Sequence, residues 1–161
     1  MAKKRRQKTE APWPLDRRPG FLIRRLHQIH VAIFLKRCAA FEVTALQYSL
    51  LSALAERGTA DQTTLAADVA LDRTTTTGAL KRLQLRNFVE RSTDRRDRRA
   101  QICRLTKAGA TLLRKMEMSV RAAHLETVAD LGKRDQKLFI AMMQQIVAAS
   151  SHREDAVKSL E

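Results

Sequence analysis

Apolar residues recur at helical spacing from position 19 onward. Leu22, Leu26, Ile29 and Ile33 fall on one stripe, and Pro19 suits a first helical turn, so a first helix is expected from residue 19 to about 39. Phe41 and Val43 lead into Thr44-Ala45-Leu46-Gln47, which has the form of a capping box. Leu46, Leu50, Leu51 and Leu54 mark the buried face of a second helix, closed by Gly58. Asp61 stands as N-cap of a third helix carrying Leu65, Ala66 and Val69, and Asp72 as N-cap of a fourth that reaches about residue 86. Ala66, Ala67 and Ala70 leave room for these helices to cross closely, as a helix-turn-helix requires. Two β-prone runs, residues 88–92 and 100–105, flank a turn at 93–99 and predict a hairpin. Helical spacing then returns in Leu112, Leu113, Met116, Val120, Val128 and Leu131, closing at Gly132. A last helix carries Leu138, Phe139, Met142, Met143, Ile146 and Val147.

The order predicts a mainly α chain with a small β-hairpin wing: a winged helix-turn-helix joined to a helical dimerisation region. Residues 1–18, basic and broken by Pro12 and Pro14, form an N-terminal arm, with Trp13 as a candidate anchor to a surface. Residues 44–105 form the winged lobe, 19–43 and 106–150 the helical dimerisation region, and 151–161 a C-terminal tail. The fifth helix would be about 35 Å long. Together with the first and last helices it presents more apolar face than one small lobe can bury. A second copy packed about a two-fold axis is the simplest cover.

Charge changes the picture next. The 161 residues carry 31 Lys and Arg against 17 acids, a formal net charge of +14, which favours a polyanionic partner. Residues 81–107 hold ten basic residues against three acids. The fourth helix opens on Thr74, Thr75, Thr76 and Thr77, β-branched residues that are poor helix formers, and runs into Lys81 and Arg82. Small hydroxyls followed by cations suit a helix lying in a DNA major groove. The plain alternative is a helix start whose hydroxyls bond the backbone. In the hairpin turn, Asp94-Arg95-Arg96-Asp97-Arg98-Arg99 alternates acids with arginines. The acids can hold the arginine stems in fixed directions at a protruding tip, which suits minor-groove or backbone contact; a solvated charged surface is the alternative.

Several classes are excluded. Paired carboxylates, a Ser/His/Asp set, a glycine-rich phosphate loop and an HExxH helix are all missing from the sequence. An enzyme is therefore not expected, and neither a metal nor a cofactor is. Cys38 and Cys103 are too few and too far apart for a disulfide framework or zinc site; buried reduced thiols are the expectation, and an oxidant-sensing thiol the alternative. The apolar stretch 21–35 is interrupted by Arg24, Arg25, His27 and His30, so it reads as neither signal nor membrane span. A cytoplasmic, nucleoid-associated protein is expected. A net charge of +14 would also serve a sequence-nonspecific architectural DNA binder, although a winged recognition helix is more apparatus than charge binding needs.

In this order of elements, Leu65-Ala66, Asp72-Arg73-Thr74, residues 83–89, Asp97-Arg98-Arg99 and Leu105-Thr106-Lys107-Ala108-Gly109 resemble the MarR family of bacterial transcription regulators, over residues 20 to about 147. The resemblance implies a homodimer of interlocked terminal helices that binds a pseudo-palindromic double-stranded operator, usually as a repressor. It places Arg99 in the minor groove, steadied by Asp97. Arg73 and Thr74 to Thr77 would face bases or phosphates, Lys81 and Arg82 would lie nearer the backbone, and Arg95, Arg96 and Arg98 would contact phosphates. Arg95 stands where the family often has proline. The stretches 18–35 and 41–66 also resemble a subgroup that regulates breakdown of aromatic acids, with phenolic acids and their coenzyme A thioesters among its effectors. His27, His30 and Phe34 share one side of the first helix and Tyr48 lies on the next; together they could cradle an aromatic ring, or the histidines could be interface residues. Arg24 and Arg37, with Arg17, Arg18, Arg25 and Lys36, suit thioester phosphates or a solvated face equally.

Overall fold

The computed structural model describes residues 13–93 and 101–158, with side chains through residue 149. Helices α1 (Pro19–Arg37), α2 (Ala45–Arg57), α3 (Gln62–Asp68), α4 (Arg73–Leu85), α5 (Lys107–Thr127) and α6 (Lys133–Lys158) alternate with strands β1 (Thr59–Asp61), β2 (Val89–Thr93) and β3 (Gln101–Leu105).

Local chemistry sets most boundaries. The Thr44 hydroxyl accepts from the Gln47 N–H while the Gln47 side chain accepts from the Thr44 N–H, a reciprocal capping box. Asp61 accepts from the N–H groups of Thr63 and Thr64, Asp72 from that of Thr75, and the Thr106 hydroxyl from that of Gly109. Each cap satisfies N–H groups that the first turn leaves without a helical partner. Helix α2 ends on Gly58 at φ 76°, a backbone that glycine adopts readily. The turn between α3 and α4 closes instead on Ala70 at φ 52°. The N–H of Ala70 bonds the Ala67 carbonyl at 3.1 Å and that of Leu71 bonds the Ala66 carbonyl at 3.0 Å, the paired bonds of a Schellman ending.

The wing is a three-stranded antiparallel sheet in the order β1-β3-β2, not a bare hairpin. Thr59, Ala60 and Asp61 pair with Arg104, Cys103 and Ile102, so the segment before α3 seals the inner edge of the hairpin. One core cluster binds lobe and sheet together: Leu50, Leu51, Leu54, Leu65, Ala79, Leu80, Leu83, Val89 and Cys103. A second, of Phe34, Cys38, Val43, Met116, Val120 and Ala123, joins α1, the start of α2 and α5.

Several expectations change in extent. α5 ends at Thr127, where the Val128 and Ala129 N–H groups bond carbonyls three residues back; this tightened turn places Val128 and Leu131 in the connection to α6. α6 runs on to Lys158, through most of the segment read as a tail. Ala67 and Ala70 are exposed; Ala66 alone of the three is buried. The Trp13 ring is exposed, and its carbonyl accepts from the Arg18 guanidinium. On α1 the predicted stripe divides: Ile33 packs against the second cluster, whereas Leu22 and Ile29 are exposed, with Ile23 and Leu35 beside them. α6 packs extensively on no other described element, and its Leu138, Ile140, Met142 and Met143 are exposed.

Candidate nucleic-acid interface

Helix α4 buries Thr76, Ala79, Leu80 and Leu83. At 100° per residue these lie on one side, and Thr74, Gly78, Lys81 and Leu85 fall on the opposite one, flanked by Thr77 and Arg82. Arg73, Thr74, Thr75, Lys81 and Arg82 are exposed, so five of the seven positions predicted on this helix are open to solvent, Thr74, Lys81 and Arg82 on or beside its outward side.

The four threonines divide by environment. Thr74 points outward. Thr75 is exposed, but its hydroxyl donates to the Asp72 carboxylate at 2.7 Å as part of the cap. The Thr77 hydroxyl lies 2.7 Å from the Arg73 carbonyl and 3.1 Å from Gln62 Oε1, tying α4 to the start of α3. Thr76 corrects the sequence reading: it is completely buried, and its hydroxyl has no partner among the described residues. A buried unpaired hydroxyl costs about 1–3 kcal/mol. Thr76→Val keeps the shape and removes that cost, so thermal unfolding should occur at the wild-type temperature or a few degrees above it, with DNA affinity unchanged. A variant that kept its fold but lost DNA binding would return Thr76 to the interface.

Arg95, Arg96, Asp97, Arg98 and Arg99 lie outside the described residues. The strands leading to them are described. Arg104 and Glu90 pair across the sheet, and Arg91, opposite Cys103, keeps its Nε buried with no hydrogen-bond partner among the described residues. Cys103 and Cys38 are both buried. Burial pushes both thiols above their ordinary pKa, with Arg91 opposing it in part at Cys103. This is the reverse of what an oxidant-sensing thiolate needs.

On the far side of the lobe the structure brings together three of the six residues assigned to an effector. Phe34 is 1% exposed and belongs to the core; Tyr48 meets it with ring centroids 5.8 Å apart. His30 is half-buried, tilted against Phe34 at 6.2 Å and stacked on His124 at 4.8 Å. The Thr127 hydroxyl lies 2.9 Å from the Ala123 carbonyl and 2.8 Å from His30 Nδ1; when it donates to the carbonyl it accepts from an Nδ1–H, the tautomer of the neutral ring that leaves Nε2 an acceptor. Burial, then His124 and His27, lowers the His30 pKa and favours this neutral ring. An open cleft of about 600 Å3 lies alongside, lined by Tyr48, Ser52, Arg57, Asp68, Ala70 and His124 among others. The Arg57 and Asp68 side chains form a two-bonded ion pair across it.

Of the six effector assignments Tyr48 lines the cleft, while His30 and Phe34 pack behind it and the other three lie elsewhere. His27 and Arg24 are exposed on α1, and Arg37 pairs with Glu126. Sequence reading missed His124, which stands 94 positions from its stacking partner and joins it only through the packing of α1 on α5.

A capped helix-turn-helix, a three-stranded wing beside it and three long helices outside the lobe define a winged-helix transcription regulator rather than an enzyme. The chain belongs to the MarR family: the MarR family model matches residues 43–100. The HTH-type transcriptional repressor NicR of Pseudomonas putida is 30% identical over 136 residues, covering 84% of this chain and 86% of that protein. Among solved structures, Bordetella bronchiseptica BpsR, whose DNA binding is regulated by 6-hydroxynicotinic acid, has a TM-score of 0.79 at 27% identity over 85% of this chain and 98% of that one. Streptomyces coelicolor PcaV, in complex with its natural ligand, has a TM-score of 0.74 at 29% identity over 87% of this chain and 99% of that one. No described helix is long and apolar enough to cross a membrane.

Proposed function

We propose that the chain is a homodimeric repressor of a pseudo-palindromic operator, released by a small single-ring aromatic acid. Helix α4 enters the major groove through Arg73, Thr74 and Lys81, and the arginines at 95–99 reach the backbone and adjacent minor groove. The observation carrying the effector reading is the His30–His124 stack beside the Tyr48-lined cleft. It offers an aromatic face, a phenolic hydroxyl and a neutral imidazole acceptor, the groups that a hydroxylated aromatic ring needs. The cleft also touches the end of α3 at Asp68 and Ala70, so occupancy bears on the helix that orients α4. The BpsR likeness supports a ligand of the 6-hydroxynicotinic acid class. A free acid is favoured over a thioester because Arg24 and Arg37 do not reach the cleft.

Release is then a population shift: ligand favours a dimer whose two α4 helices no longer match half-sites about 34 Å apart. A hundredfold loss of operator affinity needs a coupling of about 2.7 kcal/mol. The test is fluorescence anisotropy on DNA upstream of the protein's own gene against a random duplex at fixed salt, with and without hydroxylated benzoic and nicotinic acids. Preference for its own DNA by about a thousandfold is expected, reversed by one ligand class. Equal binding to both duplexes, unmoved by any acid, would favour architectural DNA binding. For His30→Ala, the acid concentration for half-release should rise about tenfold or more while ligand-free operator affinity holds. Equal loss of both would make His30 purely structural.

A further inference from the structure

Gly78 occupies the middle of α4, where glycine is the least favourable helix residue after proline. Nothing among the described residues requires it. A Cβ built at Gly78 would meet one neighbour within 4 Å, an Arg82 guanidinium nitrogen at 3.6 Å, which is ordinary contact. Nor does Gly78 adopt a left-handed backbone, as Gly58 does. Gly109 shows the contrast, since there a Cβ would stand 2.2 Å from a backbone oxygen. Yet Gly78 lies on the outward side of α4 between Thr74 and Lys81, and the Arg82 guanidinium leans back over it. Helical side chains tilt toward the N-terminus, so an arginine one turn after a glycine can lie flat across the gap. This brings its fork from the flank of the helix toward the centre of its exposed face.

We infer that Gly78 and Arg82 form a single base-reading element: the missing side chain lets the helix approach the base edges closely and lets Arg82 present its fork to a guanine there. Arg82 thus reads sequence instead of touching phosphate. A guanidinium matches the O6 and N7 acceptors of guanine in the major groove, and a helix without a side chain at its centre can sit deep enough for that reach. Gly78 is a positioning residue, acting through Arg82 and through the depth of the helix in the groove.

This inference rests on the operator-binding reading, and its test separates the two. The full-length protein selects duplexes from a randomised library, and anisotropy then measures affinity for the selected duplex and for each single-base variant. Failure of the wild type to enrich any motif overturns the operator reading itself. With a motif in hand, Gly78→Ala should unfold a few degrees higher, because alanine is the better helix former, yet bind the selected duplex about tenfold or more weakly. Its affinity for random DNA should not change. Arg82→Ala should lose discrimination at one G·C pair in each half-site and keep the wild-type order of preference elsewhere. Unchanged affinity in Gly78→Ala overturns the positioning role. Uniform weakening of Arg82→Ala on all sequences, with a shallower salt dependence, marks a phosphate contact and overturns the reading role.

Discussion

Gly109→Ala should unfold the winged lobe at a markedly lower temperature than any other single-methyl addition among the described glycines. The Cβ would stand 2.2 Å from the Phe88 carbonyl oxygen, 3.1 Å from its carbon and 3.2 Å from a Leu105 methyl. Two of these are backbone atoms already committed. The Phe88 carbonyl accepts from the Thr106 N–H at 3.1 Å, and the Thr106 hydroxyl donates to the Asn87 carbonyl at 2.7 Å while accepting from the Gly109 N–H. The start of α5 is thus tied to the end of α4 by a knot in which a missing side chain permits contact. Overpacking with nowhere to relax costs about 3 kcal/mol or more, which for a domain of this size lowers the midpoint by roughly 10 °C. Calorimetry of the variant beside Gly132→Ala decides the matter. At Gly132 the added Cβ meets a carboxylate oxygen at 3.9 Å, so that control should melt near the wild type. Equal midpoints for both variants would show that the α4–α5 junction yields easily and does not fix the wing.

The same junction shows what a sequence discloses. Leu-Thr-x-x-Gly was legible as a motif because its cap is local: Thr106 and Gly109 are three positions apart, as are Thr44 and Gln47. Asp61 and Asp72 announced their helices for the same reason. β1 carried no such signal. Its three residues have no strand pattern of their own, and their pairing waits on β3, more than forty positions later. The turn of the helix-turn-helix was legible between Val69 and Asp72, but its left-handed ending was not, because Ala70 stands where glycine or asparagine is the usual mark. Thr76 is a different case. Helical period alone places it with Ala79, Leu80 and Leu83, and four threonines in a row concealed that one of them faces the core. The effector side was the least legible. His30, Tyr48 and His124 lie on three helices, and only the packing of α1 and α2 on α5 makes them neighbours. The arginines of α1 looked suited to phosphate by type, but side-chain direction and the Arg37–Glu126 pair assign them elsewhere.

Leu138→Asp combined with Met142→Asp should leave a folded, monomeric protein that has lost most of its operator affinity. The two positions are one turn apart on α6, both about half exposed, on a 26-residue helix roughly 39 Å long. The helix packs extensively on no other described element, so carboxylates there disturb neither core cluster of the lobe. Exposed Leu22, Ile23 and Ile29 on α1 add to the uncovered apolar surface, more than an isolated chain of net charge +14 would keep in water without a partner. In the proposed homodimer a two-fold mate would cover it and set two α4 helices facing one DNA. Losing the mate turns one bivalent event into two independent ones, and affinity for the full operator should fall about a hundredfold or more. Affinity for a single half-site should stay within a few fold of wild type. Sedimentation equilibrium gives the mass, and circular dichroism the retained helix. A double variant that still sediments as a dimer would move the interface off α6, whereas a monomer with undiminished operator affinity would mean that one lobe suffices for recognition.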